Sequence, residues 1–145
     1  MLPIDFKGRN RILHGPRDEQ GNPTTDILNL PSFTNGRYCI SCWELNDEEK
    51  RDLQASKALW IHLCCPINVE MHISMLHPIR GYSIIVETTL LDVLYQDEER
   101  SITCWPLTDD EIELVQTTGV IWFTIRSGHT QPPVGFFTRS PFINQ

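Results

Sequence analysis

The 145-residue chain lacks long apolar runs, an export signal and a glycine-rich phosphate loop. No stretch approaches the roughly 18 apolar residues of a membrane span, so no membrane association is expected. The first ten residues show no continuous apolar run after a basic segment, which argues against a signal peptide. These absences favour the cytoplasm of the cell that makes the protein.

The cysteine count is odd, and basic residues are outnumbered by acidic ones. Five cysteines, an odd number without an export signal, favour reduced thiols over a disulfide framework. The net charge is −7, and residues 41–145 carry 15 acidic against 7 basic side chains. Direct binding to nucleic acid needs clustered Lys and Arg, so it is not expected. An acidic body is compatible with binding a basic protein surface.

One stretch of the sequence occurs twice. Residues 40–61 and 102–123 align without gaps at an offset of 62, and eight of the 22 aligned pairs are identical. Average residue usage predicts about one or two identities, so the match indicates an internal duplication. The identical pairs are Ile40/Ile102, Cys42/Cys104, Trp43/Trp105, Leu45/Leu107, Asp47/Asp109, Glu49/Glu111, Gln54/Gln116 and Trp60/Trp122.

Each copy is predicted to contain strand, strand, helix, strand and strand. An Asn-Gly pair at 35 and 36 between two apolar runs predicts a hairpin. Asn46 and Thr108 are each followed three residues later by Glu, which predicts helices that begin with a capping box. The alternation over 58–64 and 120–126 predicts a strand after each helix. The core positions predicted on these strands are Leu59, Ile61, Leu63, Ile121, Phe123 and Ile125.

The copies diverge after these strands, and residues 1–27 show no apolar periodicity. We expect an extended N-terminal arm at 1–27, a first repeat at 28–80, and a linking strand with the second repeat at 81–145. Repeats of this size would be marginal alone, so they are expected to share a core. The predicted fold is α+β, with two tandem ββαββ-like repeats packed as one compact domain with pseudo-twofold symmetry. Its sheet is mostly antiparallel, with one short helix per repeat.

Metal ligation and nucleophilic catalysis are weakly supported. On a regular strand Cys39 and Cys42 point to opposite faces and cannot chelate one metal, so both are interpreted as structural. His62 and Cys64 share one strand face, but the second copy replaces both, which argues against a Cys/His enzyme. The other metal-ligand types nearby, Cys65 and His72, complete no recognised zinc spacing. No catalytic residue, metal or cofactor is therefore predicted.

The motifs ISCWEL, TGVIWF and SGHTQPPV resemble the pattern of small uncharacterised proteins encoded by tailed phages. In those proteins an Ile-Ser-Cys-Trp strand leads through a short helix to a Gly-x-Ile-Trp strand and a Gln-Pro-Pro-Val element. The resemblance covers residues 29–65 and 93–137. It implies a phage origin, and hence the cytoplasm of an infected bacterial host cell, but brings no established activity. The helix of such proteins is often basic, whereas both predicted helices here are mostly acidic.

The loop at 126–133 and its neighbours form the best candidate ligand site. Prolines restrict the loop, polar side chains offer hydrogen bonds, and two arginines could pair with phosphate or carboxylate. An ordinary hairpin loop is the alternative interpretation. The predicted ligand-binding residues are Trp122, Arg126, His129, Thr130, Gln131, Phe136 and Arg139.

The first turns of both predicted helices are acidic. Helix capping and the helix dipole explain these carboxylates without catalytic chemistry. They are also the candidate contacts to a basic protein partner. The predicted partner-binding residues are Asp47, Glu48, Asp109 and Asp110.

These features favour a non-enzymatic phage binding protein that counteracts a bacterial host defence system. It would either sequester a small nucleotide-like signal or block the surface of a defence protein, and both modes remain open. Assembly into a homo-oligomer is compatible with either mode. The alternative classes are a virion or assembly structural protein and a small Cys/His hydrolase.

Overall fold

A computed structural model describes residues 1–65, 70–76, 78–80, 83–84, 93–128, 130–139 and 141. Within them the helices are α1 (Asp47–Ser56) and α2 (Asp109–Thr118). The strands are β1 (Leu2–Ile4), β2 (Arg11–Leu13), β3 (Leu30–Thr34), β4 (Cys39–Glu44), β5 (Ala58–Leu63), β6 (Met71–Ser74), β7 (Ile79–Arg80), β8 (Ser83–Ile84), β9 (Val93–Gln96), β10 (Ser101–Pro106), β11 (Val120–Ile125) and β12 (Val134–Phe137).

Both helices begin with the predicted capping box. The Asn46 side chain accepts a hydrogen bond from the Glu49 N–H at 2.9 Å, and the Glu49 carboxylate accepts one from the Asn46 N–H at 2.9 Å. Thr108 and Glu111 make the same reciprocal bonds at the beginning of α2. These bonds satisfy backbone donors that the first turn would otherwise leave unpaired. No helix in the described part of the chain is long and apolar enough to cross a membrane.

The first sheet has the strand order β2-β3-β4-β11-β6. The predicted hairpin joins β3 to β4, and the Asn35 side chain accepts from the N–H groups of Arg37 and Tyr38 at 3.0 and 2.9 Å. β11 pairs with β4 along the whole length of β4. The other edge of β4 pairs with β3 in its first half and with β1 in its second half. β1 and β2 belong to residues 1–27, for which no strands were predicted.

The second sheet has the order β12-β5-β10-β9, and β7 and β8 form a separate two-stranded ladder. Every pairing among the described strands is antiparallel. The fold is therefore α+β, with mostly antiparallel sheets and two short helices, as predicted. The predicted linking strand corresponds to the apolar run at 82–94, of which only residues 83–84 and 93–94 are described.

Each helix connects the two sheets. α1 follows β4 of the first sheet and leads to β5 of the second, whereas α2 follows β10 of the second sheet and leads to β11 of the first. The Leu45 N–H donates to the Gly119 carbonyl, and the Leu107 N–H donates to the Lys57 carbonyl, each at 2.9 Å. The end of each helix therefore meets the beginning of the other, and the helices lie antiparallel.

The main core lies between the two sheets and the helices. All six predicted core positions on β5 and β11 are at most 1% exposed. β4 alternates as predicted, because Cys39 and Trp43 join this core while Ile40 and Cys42 lie on the opposite face. Each fully buried aliphatic or aromatic side chain contributes about 1.5–3 kcal/mol to folding, so this core is the main source of stability.

The N-terminal arm covers the outer face of the first sheet. Ile40, Cys42 and Trp122 form a second apolar cluster there, and Ile4 and Phe6 pack against it. The rings of Phe6 and Trp122 meet edge to face with centroids 5.1 Å apart. Residues 1–6 are thus part of the folded body.

Candidate functional site

The residues predicted for ligand binding lie in separate places. Trp122 faces the N-terminal arm on the outer side of the first sheet, whereas Phe136 lies in the main core. Arg126 follows β11 with a half-exposed side chain, and its guanidinium lies 3.7 Å from the Glu70 carboxylate. Thr130 is exposed, and its carbonyl accepts a hydrogen bond from the Ser127 hydroxyl. His129 lies outside the described residues.

Arg139 binds the first helix. Its guanidinium donates to both carboxylate oxygens of Asp52, at 2.7 and 2.9 Å, and to Glu48 at 3.4 Å. The hydrogen bond from Arg139 lowers the pKa of the Asp52 carboxyl. This bidentate pair ties the segment after β12 to α1, so Arg139 already has its anionic partners within the chain.

The predicted partner-binding carboxylates lie at opposite ends of the helix pair. The Asp47 side chain is 91% exposed, and Asp110 is exposed as well. Asp109 accepts a hydrogen bond from the Lys57 ammonium at 2.6 Å, and Glu48 pairs with Arg139. The two acidic first turns are separated because the helices are antiparallel, so they form two acidic patches.

Gln131 and Phe136 remain together and line an open cavity of about 520 Å³. We call it the arm cavity, because the N-terminal arm forms one wall and the segment from Gln131 to Phe137 forms the other. Trp43 of β4 forms its floor. The arm cavity is lined by Met1, Pro3, Leu13, His14, Gly15, Asp26, Ile27, Leu28, Leu30, Trp43, Glu49, Gln131, Pro132, Pro133, Val134, Gly135, Phe136 and Phe137.

A buried hydrogen-bond chain holds Gln131 in this wall. The Trp43 indole N–H donates to the Ser41 hydroxyl at 2.8 Å, and that hydroxyl donates to Gln131 Oε1 at 3.1 Å. All three side chains are buried, with Gln131 9% exposed. Gln131 Nε2 has no hydrogen-bond partner among the described residues. A buried donor without an acceptor costs about 1–3 kcal/mol, so an acceptor that reached this amide would stabilise it.

The aromatic part of the wall is held by the core. Phe136 packs against Trp43 with ring centroids 4.8 Å apart, and against Phe123 at 5.5 Å in an edge-to-face arrangement. Because Phe123 is fully buried, these contacts fix the position of Phe136. The aromatic part of the arm cavity is therefore held in place by core packing.

The charged groups around the arm cavity are mainly acidic. Asp26 and Glu49 line it, and Glu49 is paired with the Met1 ammonium. None of the described lining residues is Lys or Arg. The arginines predicted to hold phosphate, Arg126 and Arg139, do not line the cavity. The imidazole of His14 does line it, with Nδ1 3.1 Å from Asn29 Oδ1.

The cysteines are free, and two of them are deeply buried. Burial raises the pKa of the Cys39 thiol to about 11 and that of Cys42 to about 12, so both remain protonated at neutral pH. They lie on opposite faces of β4, as predicted. The described residues contain no group of three or more side chains placed to hold a metal ion.

Of the residues that line the arm cavity, the prediction from the sequence included Gln131 and Phe136 but none of the others. Leu13 joins them because the arm folds back across the sheet, whereas Trp43 of β4 packs directly against Phe136. No local pattern marks such an approach. Comparison with known proteins finds no family model that matches the chain, no similar curated protein and no similar solved structure. The site itself therefore carries the functional argument.

Proposed function

We propose that this chain is a non-enzymatic binding protein of phage origin that counteracts a bacterial host defence system through the arm cavity. One observation carries the binding role: an open, preformed cavity has a buried and unpaired amide donor, Gln131 Nε2, in its wall. The phage origin, the defence target and the host cytoplasm rest on the motif resemblance.

Blocking the surface of a defence protein agrees better with the charges than sequestering a nucleotide-like signal. Arg126 and Arg139 are engaged by carboxylates away from the cavity. The exposed carboxylates of Asp47 and Asp110 would add contacts to a basic protein surface outside the cavity. The working proposal is therefore a protein partner that places a small part of its surface in the arm cavity.

We also propose that residues 28–80 and 81–145 are two copies of one ββαββ unit related by an approximate twofold axis. The cross-strand pairs of the two sheets match when each residue is replaced by its equivalent in the other copy. Cys42 lies opposite Trp122 in the first sheet, and Cys104 lies opposite Trp60 in the second. The reciprocal hydrogen bonds from Leu45 and Leu107 follow the same relation. Together with the eight identities, these pairings support a duplication whose copies exchange strands.

The proposal is tested by phage plating on bacterial strains that each carry one defence system. Expression of the protein is expected to restore plating of a sensitive phage on one of them. Leu28→Trp should abolish this rescue, because Leu28 is 55% exposed at the arm cavity and a larger ring would obstruct it. Leu94→Trp is the matched control, since Leu94 is 51% exposed on β9 and does not line the cavity.

Two results would contradict parts of the proposal. Rescue that survives Leu28→Trp would place the binding site elsewhere. Thermal stabilisation of the purified protein by a cyclic or linear nucleotide, lost in Leu28→Trp, would replace protein blocking with nucleotide sequestration.

A further inference from the structure

We infer that the arm cavity takes a basic, apolar segment of a protein chain, an inference that rests on the proposed binding function. An apolar side chain would lie against Trp43 and Phe136, a backbone carbonyl would accept from Gln131 Nε2, and a neighbouring Lys or Arg would pair with Asp26. Each of these three contacts is inferred from a separate feature of the cavity lining.

The apolar part of this ligand follows from exposed side chains at the cavity. Ile27, Leu28 and Phe137 are 41%, 55% and 43% exposed, and all three line the arm cavity. Grouped exposed apolar side chains mark interaction sites, whereas scattered ones do not. Trp43 and Phe136 provide a fixed aromatic floor between them.

The acceptor follows from the direction of the buried hydrogen-bond chain. Trp43 donates to Ser41 and Ser41 donates to Gln131 Oε1, so the Gln131 carbonyl is occupied and its amide N–H groups are left over. A neutral carbonyl is the acceptor that a protein segment offers at every residue. An anionic acceptor is disfavoured here, because carboxylates already line the cavity.

The positive charge follows from Asp26. Glu49 is neutralised by the Met1 ammonium and also accepts from the Asn46 N–H, whereas Asp26 has no ion pair within the described part of the chain. An unpaired carboxylate at the mouth of an apolar cavity attracts a cation and repels an anion. The same group would raise the association rate of a basic segment.

The test uses three capped peptides that differ in one side chain: acetyl-Gly-Phe-Lys-amide and its Gln and Glu counterparts. Isothermal titration should show the Lys peptide binding about tenfold tighter than the Glu peptide, with the Gln peptide between them. Asp26→Asn should reduce the Lys peptide to the affinity of the Gln peptide. Glu19→Gln is the control, since it removes one exposed arm carboxylate that does not line the cavity.

Gln131→Met tests the acceptor, since methionine keeps the length of the side chain but cannot donate. This change should weaken all three peptides by a similar factor of about ten, with an unchanged circular dichroism spectrum showing that the fold is intact. Phenethylamine, which has the ring and the cation without a carbonyl, should bind weakly and be insensitive to Gln131→Met.

The outcomes separate this inference from the proposed function. Equal binding of the three peptides, or preference for the Glu peptide, would overturn the basic ligand and leave the cavity as a binding site. Tighter binding of phenethylamine than of the Lys peptide would replace a protein segment with a small amine. Absence of peptide binding, with phage rescue still abolished by Leu28→Trp, would overturn the inference alone.

Discussion

Two buried serine hydroxyls on neighbouring strands differ in the hydrogen bonds that they make. Ser32 and Ser41 lie opposite each other on β3 and β4, and both are 0% exposed. Ser41 connects Trp43 to Gln131, whereas the Ser32 hydroxyl meets only the thiol of Cys39, a weak hydrogen-bond partner. The same residue type is therefore a connector at one position and a weakly bonded group at the other.

We predict that alanine lowers the free energy of unfolding much more at Ser41 than at Ser32. Ser41→Ala leaves the Trp43 N–H and Gln131 Oε1 without partners and should lower the free energy of unfolding by about 2 kcal/mol. Ser32→Ala removes a buried hydroxyl that bonds only weakly to Cys39, so it should change the free energy of unfolding by less than about 1 kcal/mol. Urea denaturation followed by tryptophan fluorescence, with unchanged m-values, measures both changes. Equal losses for the two variants would show that the hydrogen-bond chain does not stabilise the fold.

Among the elements, the N-terminal arm contributes to both the arm cavity and the outer apolar cluster. Met1 and Pro3 line the arm cavity, while Ile4 and Phe6 cover the outer cluster around Trp122. One extended segment therefore packs on both sides of the edge of β4. Displacing it would open the cavity and expose the outer cluster together.

We predict that Phe6→Ala loosens the arm. Loss of the half-buried ring from Trp122 should lower the free energy of unfolding by about 2 kcal/mol, less than for a fully buried phenylalanine. Trypsin should then cleave after Lys7 and Arg9 faster than in the unaltered protein. Tyr95→Ala is the control, because that ring is 39% exposed on β9 and does not line the arm cavity. Similar cleavage rates in both variants would contradict an arm anchored by Phe6.

The helices and strands that could be predicted are those specified by residues close together in the sequence. The caps at Asn46 and Thr108 and the alternation around Phe123 involve neighbouring residues, so they could be read directly. β1 and β2 are three residues each, and their strand character depends on distant partners; Leu2 lies opposite Glu44. Such short pairings leave no periodicity to detect.

The candidate site was only partly predictable for the same reason. Gln131 and Phe136 are close in the sequence, but their cavity also needs Leu13 from the arm and Leu28 from the first repeat. Arg126 and Arg139 are also near in the sequence, but Glu70 and Asp52 hold them elsewhere. Which carboxylate meets an arginine is decided by the tertiary fold, which composition does not reveal.

On the scale of the whole molecule, neither half has a complete sheet. β4 depends on β11 for one entire edge, and β5 depends on β10 in the same way. The cores of residues 1–80 and 81–145 are built from each other's strands. The halves are structurally interdependent, whatever their evolutionary relation.

We therefore predict that fragments 1–80 and 81–145 are each unfolded and that their mixture recovers the circular dichroism spectrum of the intact chain. Each fragment alone would leave six-residue strands unpaired and the main core exposed. A 1–80 fragment with Ile61→Asp should fail to complement, because Ile61 is 1% exposed in the shared core. Cooperative unfolding of either fragment alone would contradict this interdependence.

The exchange of strands between the halves also constrains when the protein can fold during synthesis. The β3–β4 hairpin can close early, but β4 and β5 meet β11 and β10 only after residues 120–125 and 101–106 have left the ribosome. Contacts of such long sequence separation fold slowly. During most of translation the apolar faces of the first half remain uncovered, a state that chaperones recognise and that favours aggregation when expression is fast.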